Sequence, residues 1–542
     1  MTEAMQMLLN LNEIKNKDQW LKNGFIMPEY DVEALRKKTF AKPTWLHLGA
    51  GNIFRAFPAA ALQRLINAGE WNSGLIVAEC FDGDIIDRAY RPYDNLSVLC
   101  TLKSDGTVDK TVVASVTEAL RCDGARPADD ARLIQVIASP SLQMVSLTIT
   151  EKGYAVTDAR GVALPWVEKD IVASPDKAET TMGKLCAGLY ARFKAGKKAI
   201  ALVSMDNCSH NGDKLRSAVM YIAEGWREGG FVTKDFITYI EQKVGFPISM
   251  IDKITPRPDQ KVADMLALSG FDCAGIVVTA KGTYTGAYVN AEETEYLVIE
   301  DLFPNSRPPL EKAGIYITDP ETVDKAEKMK VCTCLNPLHT SMAVLGCMLG
   351  YTSICKEMED KDINKLVHAL AFTEAMPVVH DPGILSPKEF ATQVLEKRLP
   401  NPFMPDTPQR IACDTSQKLP IRFGETLKAY AASDTLEIRD LKIIPFVLAA
   451  WLRYLTGIDD EGRAFDKSPD PMSEELAARF GSLRFGYKAT EEELSDFLCR
   501  ADIFGTDLVA IHVAPKVVDY FNRMMSGKGM VRQTLSEVVS QF

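Results

Sequence analysis

The chain has 542 residues, several times the roughly 100–200 residues of one domain, so two domains are expected. Hydrophobic residues make up 46% and charged residues 25%, close to globular averages, which excludes a wholly disordered or fibrous chain. Lys and Arg number 62 against 73 Asp and Glu, and the resulting net charge of -11 argues against nucleic acid or an anionic membrane as partner.

No apolar run reaches the ~18–20 residues that span a bilayer. The longest, Ile443–Leu452, contains Pro445 and reads as a buried helix. The N-terminus is polar from its third residue and does not read as a signal peptide. Twelve cysteines form no CxxC pair, and six scattered histidines (47, 210, 339, 368, 380 and 512) make no ligand cluster. A cytoplasmic protein with reduced thiols and no metal site is expected.

In chain order, residues 1–40 read as a polar N-terminal extension packed on the body. From residue 41 short apolar runs alternate with helical patterns. Thr44–Leu48 is a candidate strand, followed by a glycine turn and a helix over Ile53–Ala68. Further strands are expected at Leu75–Glu79, Thr111–Val116, Met144–Thr150 and Ala199–Ser204, with helices over Asp129–Ala138 and Thr180–Lys194. Such alternation predicts an α/β, Rossmann-type domain with a parallel-sheet core over residues 41–287. Over 288–542 apolar residues recur at helical spacing, as in Ser341–Leu349, Ile363–Phe372, Pro420–Ala432, Leu441–Leu455, Ser473–Phe480 and Thr490–Cys499. A mostly α-helical C-terminal domain follows.

Four segments can carry chemistry. In His47-Leu-Gly49-Ala-Gly51-Asn52-Ile53-Phe54-Arg55 a strand runs through a Gly-x-Gly turn into a helix. The first glycine permits the turn and the second lets backbone approach a diphosphate at the helix start. Phe54 stands where a third glycine is usual, and an ordinary strand–helix turn is the plain alternative. Glu79 ends the next strand with Asp82 close behind, placed to bind a ribose diol and to repel a 2′-phosphate, so NAD is expected over NADP. Their plain alternative is a solvated acidic loop. The second segment, Val203-Ser-Met-Asp206-Asn207-Cys-Ser-His210-Asn211-Gly212-Asp213, closes a strand at the edge where open α/β sheets bind ligands, although composition alone favours a capped turn.

The third segment runs from Glu327 and Lys330 to Asn336-Pro337-Leu-His339, with Asn336 expected as helix cap and Pro337 as first helical residue. Lysine, amide and imidazole together suit proton transfer at an alcohol oxygen. A surface Glu–Lys pair, a capping amide and a packed imidazole would look the same. In the fourth, Arg410 and Lys418 could grip hydroxyls or a carboxylate, or lie in a solvated loop.

Taken together and in this order, these segments resemble the mannitol dehydrogenase family of zinc-independent polyol and sugar-acid dehydrogenases. Val145-Ser-Leu-Thr-Ile-Thr-Glu151-Lys-Gly153-Tyr154, Met250-Ile-Asp252-Lys-Ile254-Thr-Pro256 and Val298-Ile-Glu300-Asp301-Leu-Phe303-Pro304 strengthen the likeness. The resemblance implies NAD as cofactor, held by Gly49, Gly51, Asn52, Ile53, Phe54, Arg55, Glu79, Asp82 and Asp206. It implies Lys330 as the catalytic acid/base, Asn207 and Asn336 as donors to the developing alkoxide, and His339 as the group orienting a substrate hydroxyl. Arg410, Lys418 and Glu327 would meet the substrate. One departure is an extra residue between lysine and asparagine, expected in a segment between helices, with Lys328 as the rival lysine. The implied substrate is a small sugar acid or polyol. Reduction of fructuronate to D-mannonate leads, with tagaturonate reduction or mannitol oxidation as alternatives. A nonredox NAD-containing epimerase or sensor is the alternative of another class. The oligomeric state is left open.

Overall fold

The computed structural model describes residues 6–542, so the first five residues of the expected N-terminal extension lie outside the described residues. The chain divides into two compact units. The first runs to Val323 apart from the turn Ser104–Gly106; the second comprises Asp324–Phe542 with that turn.

In the first unit six short strands form one parallel sheet: β1 (Trp45–Leu48), β2 (Leu75–Glu79), β3 (Val116–Arg121), β4 (Met144–Leu147), β5 (Ile200–Ser204) and β6 (Val244–Gly245). Their order is β3-β2-β1-β4-β5-β6. This is the doubly wound order, with the switch point between β1 and β4. Successive side chains serve opposite core layers. Trp45, Leu75, Val77, Met144 and Val203 face one, while Leu46, Ile76, Val145, Leu147 and Leu202 face the other. Burial on both faces explains why these strands read as unbroken apolar runs.

The helix expected over Ile53–Ala68 is two: α1 (Asn52–Ala56) and α2 (Pro58–Asn67). Pro58 has no N–H and cannot continue the preceding helix, so the chain bends at Phe57. α3 (Pro127–Ala138), α4 (Thr181–Lys194) and α5 (Asn211–Glu228) then cover the far face of the sheet. The strand expected over Thr111–Val116 is also split. Val108–Val113 pairs antiparallel with Ser97–Leu102 in a second, four-stranded sheet, and a break at Ala114–Ser115 precedes β3. Phe25–Ile26, from the N-terminal segment, is an edge strand of that second sheet.

The units part at Val323/Asp324, beyond the expected 287/288 division. Tyr288–Glu292 pairs with Ser97–Leu102, and Tyr296–Glu300 with Ser249–Asp252. Strand pairing with earlier segments therefore holds these residues to the first unit, a long-range preference that local texture does not report.

The second unit is helical. The helical run Pro320–Leu349 comprises α6 (Pro320–Lys328), a π-helical turn (Met329–Cys334) and α7 (Asn336–Leu349). Contrary to the sequence expectation, it is long and apolar enough to cross a membrane by length and composition. However, 83% of its apolar window is buried inside the protein, as in a core helix. α8 (Ile443–Tyr454) is buried along its whole length and packs on α7 and on α9 (Ala514–Met525). Its start has no local cap. Instead the buried Glu374 carboxylate accepts the N–H groups of Lys442 (2.5 Å), Ile443 (2.7 Å) and Ile444 (2.9 Å). Three orphan donors and the positive helix end are thereby satisfied together.

Glu357 is the opposite case. It is fully buried against Gly346 of α7, neither carboxyl oxygen has a hydrogen-bond partner among the described residues, and burial raises its pKa well above the usual value. The folded protein therefore keeps a proton that the unfolded chain releases above ~4.3. Stability from this site is full below that pH and falls as pH rises toward the raised value. Glu357→Gln, which cannot ionise, should unfold at higher temperature than wild type at pH 8 and flatten the pH dependence. The gain should be roughly 1–3 kcal/mol. Thermal unfolding of both proteins from pH 5 to 9 tests this; equal slopes would contradict it.

Candidate active-site elements

The glycine turn sits at the carboxyl end of β1. Gly49 has φ of 102°, a left-handed conformation open to glycine, and its N–H donates to Ala78 O (2.9 Å). Gly51 is extended, and a Cβ added there would meet nothing within 4 Å. That open approach in front of α1 fits a dinucleotide diphosphate. Phe54, in place of a third glycine, is fully buried and stacks on His47 with ring centroids 4.2 Å apart. His47 lies between Ser146 Oγ (2.6 Å) and Thr148 Oγ1 (2.9 Å), and burial lowers its pKa to about 3, so it is a neutral brace. The buried Arg55 donates to Gly286 O (2.7 Å), Thr285 Oγ1 (2.9 Å) and Asn52 Oδ1 (2.9 Å). Asn52 Nδ2 in turn reaches Tyr284 O (3.2 Å), and Ile53 packs half-buried on the core. Asn52 and Arg55 thus tie α1 to the strand at Tyr284–Gly286.

The acids point inward rather than standing free. Glu79 accepts the N–H groups of Ala50 (2.8 Å), Phe81 (2.8 Å) and Asp82 (3.0 Å), and Asp82 accepts the hydroxyls of Thr279 (2.7 Å) and Thr283 (2.6 Å). Their visible work is to hold the glycine turn and the loop after β2. Glu79→Ala should therefore weaken NADH binding by about ten- to a hundredfold, since charge-assisted bonds contribute about 1.5–3 kcal/mol each. Fluorescence titration with NADH measures it; an unchanged Kd would remove Glu79 from the turn's support.

Asp206 is likewise internal, accepting from Ile149 N (2.9 Å), Thr150 N (2.9 Å) and the Tyr154 hydroxyl (2.6 Å). It shapes the segment after β4, where Thr150 has φ of 64°. Asn207 follows, exposed, at the carboxyl end of β5. The sequence reading gave no role to Asn211, which is buried and braces this loop. Its amide bonds Asp206 O (3.0 Å) and Ser249 Oγ (2.9 Å) and accepts from Ser249 N (2.9 Å).

In the second unit the expected segment between helices does not exist. A π turn stands there instead, closed by Leu335 N donating to Lys330 O (3.1 Å) across five residues. Pro337 explains it, because its ring would press on the Thr333 carbonyl of a regular helix, and widening the turn relieves the clash. Helix α7 accordingly begins at Asn336, one residue before the expected start, and Asn336 makes no cap bond. Lys330 is 3% exposed on the π turn, Lys328 is exposed, and Glu327 is half-buried on α6.

His339 lies two residues beyond Pro337. Its Nε2 is buried without a hydrogen-bond partner among the described residues, and Asp406 Oδ2 is 3.6 Å away, too far for a bond. Burial lowers its pKa to about 3, helped by the charges of Arg422, Arg398, Arg410 and Lys418. The imidazole is neutral, within a group of four cations.

Arg410 pairs with Asp406 and is otherwise exposed. Lys418 donates to Ile411 O (3.1 Å) and Cys413 O. Arg398 and Arg422 were not singled out from sequence; basic residues spaced along separate helical turns carry no motif. Among the described residues no group of three or more His, Cys, Asp or Glu side chains could hold a metal ion.

Comparison with known proteins places these elements. Residues 43–312 match the family description "Mannitol dehydrogenase Rossmann domain", and residues 322–525 match "Mannitol dehydrogenase C-terminal domain". The chain belongs to the mannitol dehydrogenase family. It is 48% identical to a D-mannonate oxidoreductase of Thermotoga maritima over 538 residues, 99% of both chains. Among solved structures it resembles a substrate-free D-sorbitol dehydrogenase, at 25% identity and a TM-score of 0.78, covering 94% of this chain and 97% of that one. It also resembles the Pseudomonas fluorescens mannitol 2-dehydrogenase ternary complex with NAD and D-mannitol. That match has 26% identity and a TM-score of 0.68, covering 99% of this chain and 100% of that one.

Proposed function

We propose that the chain is an NAD-dependent, zinc-independent oxidoreductase that interconverts a keto-sugar acid and its alcohol, reducing fructuronate to D-mannonate. The observation that carries the choice of an acid is the cation group around neutral His339 in the second unit. An anionic substrate is stabilised there, whereas a neutral polyol makes no use of the excess charge. The 48% identity to a D-mannonate oxidoreductase supports the same reading.

NAD, when bound, accepts the hydride of the alcohol and returns it in the reductive direction. The Gly49–Arg55 turn holds its diphosphate. Negative charge at Glu79 and Asp82 disfavours the extra phosphate of NADP. Lys330 takes the alcohol proton at its Nζ, or returns it to the new alkoxide during reduction. The amides of Asn336 and Asn207 donate to the charged oxygen, each worth a few kcal/mol in such a role. Neutral His339 presents Nε2 to a substrate hydroxyl.

The test is NADH and NADPH oxidation with fructuronate, tagaturonate and fructose, each with and without exhaustive chelation. Fructuronate with NADH should give the highest kcat/KM, and the chelator should leave it unchanged. Fructose as the best substrate would overturn the choice of acid. Binding of NADH without turnover of any of the three would favour a nonredox role.

A further inference from the structure

The two cations expected to grip the substrate are both occupied, Arg410 by the Asp406 carboxylate and Lys418 by two backbone carbonyls. Arg422 differs. It is largely buried in the π-helical turn Pro420–Gly424, and only its Nη1 is engaged, with Thr340 Oγ1 (2.5 Å) and Asn336 O (3.4 Å). Both partners are neutral. Among the described residues no carboxylate pairs with it, and burial lowers its pKa to about 10, so it remains a cation at neutral pH. A desolvated guanidinium without a counterion is costly unless a ligand supplies one. Its planar fork, with Nε and Nη2 unused, matches the two oxygens of a carboxylate.

Its position ties it to the chemistry. It touches the first turn of α7 at Asn336, and it is the strongest of the charges acting on His339, whose own Nε2 lacks a partner. We propose that Arg422 receives the substrate carboxylate and thereby selects a keto-sugar acid over a neutral keto-sugar. The proposal rests on the reading of the substrate as a sugar acid. Arg398, Arg410 and Lys418 add positive potential at His339 beside Arg422.

The experiment compares wild type, Arg422→Met and Arg422→Lys. Steady-state reduction of fructuronate and fructose is measured with NADH, D-mannonate and mannitol binding by calorimetry with NADH present, so that the alcohol cannot be oxidised, and folding by thermal unfolding. In Arg422→Met the KM for fructuronate should rise by roughly 10²–10³-fold, as when one partner of a buried charge pair is removed. D-mannonate affinity should fall by the same factor. Values for fructose, mannitol and NADH should stay within about threefold of wild type, a difference small against a tenfold step. Arg422→Lys keeps the charge but not the fork, and should lose an intermediate amount with the acid alone.

Equal losses with acid and neutral ligands would mean that Arg422 only braces Asn336, and would overturn the proposal. Unchanged acid binding would do the same. If Arg422→Met does not fold, the acid-selective loss in Arg422→Lys decides. Should wild type reduce no keto-sugar acid yet bind D-mannonate through Arg422, the catalytic reading fails while this one stands. Efficient fructuronate reduction by Arg422→Met is the reverse case.

Discussion

Replacing Lys330 with alanine is expected to lower kcat for alcohol oxidation by roughly 10²–10⁴-fold, the usual contribution of a positioned acid/base. Lys330 is buried on the π turn, one helical segment before Asn336 and His339, while Lys328 is exposed on α6. Lys328→Ala should therefore be nearly silent. NADH affinity should change little in either variant, because the glycine turn is built wholly within the first unit. The pH–rate profile of Lys330→Ala should lose its lysine-like limb, and a small external amine should restore part of the rate. Should Lys328→Ala be the crippled variant, the family lysine corresponds to Lys328 and the site must be redrawn. Two active variants would remove lysine acid/base catalysis from this chain.

Alanine at Gly49 and at Gly51 should both impair cofactor binding, for different reasons. At Gly49 a Cβ would collide with the Thr148 carbonyl oxygen and lie 3.0 Å from its carbon, at a φ of 102° that L-residues avoid. Strain and overpacking together should cost about 2–5 kcal/mol of folding stability, and NADH binding should be lost with the turn's shape. At Gly51 the backbone is ordinary and the space open, so Gly51→Ala should unfold within about 0.5 kcal/mol of wild type. Its methyl would instead occupy the approach to the diphosphate and raise the NADH Kd more than tenfold. Unfolding without cofactor, paired with NADH titration, separates the two. Tight NADH binding by Gly51→Ala would remove the diphosphate from this turn.

Much of the fold was legible from local pattern. Parallel strands buried on both faces must be apolar throughout, and β1, β2, β4 and β5 were visible for that reason. In the second unit Lys361–Ala369, Ser473–Phe480 and Glu491–Leu498 carry one apolar stripe each and showed their period, and α8 showed as an apolar run. Gly49 was legible because its conformation excludes other residues. The family likeness came from long, peculiar segments in a fixed order, and it pointed to NAD and to Lys330, Asn336 and His339 before any geometry was known.

What the sequence could not determine depends on partners distant along the chain. Glu79, Asp82 and Asp206 look like ligand-binding acids at strand ends, yet each is committed to backbone or hydroxyl donors brought up by folding. The division of the units moved because strands at Tyr288–Glu292 and Tyr296–Glu300 pair with segments far earlier. The expected segment before Asn336 is a π turn, because Pro337 must clear a carbonyl of the preceding helical turn. Arg422 shows the limit most plainly. In sequence it is one arginine among 62 basic residues, and only packing reveals that it is largely buried, beside Asn336, with no carboxylate paired to it among the described residues. Charge type is written in the chain, but desolvation and pairing are properties of the space around a side chain, which the tertiary structure alone decides.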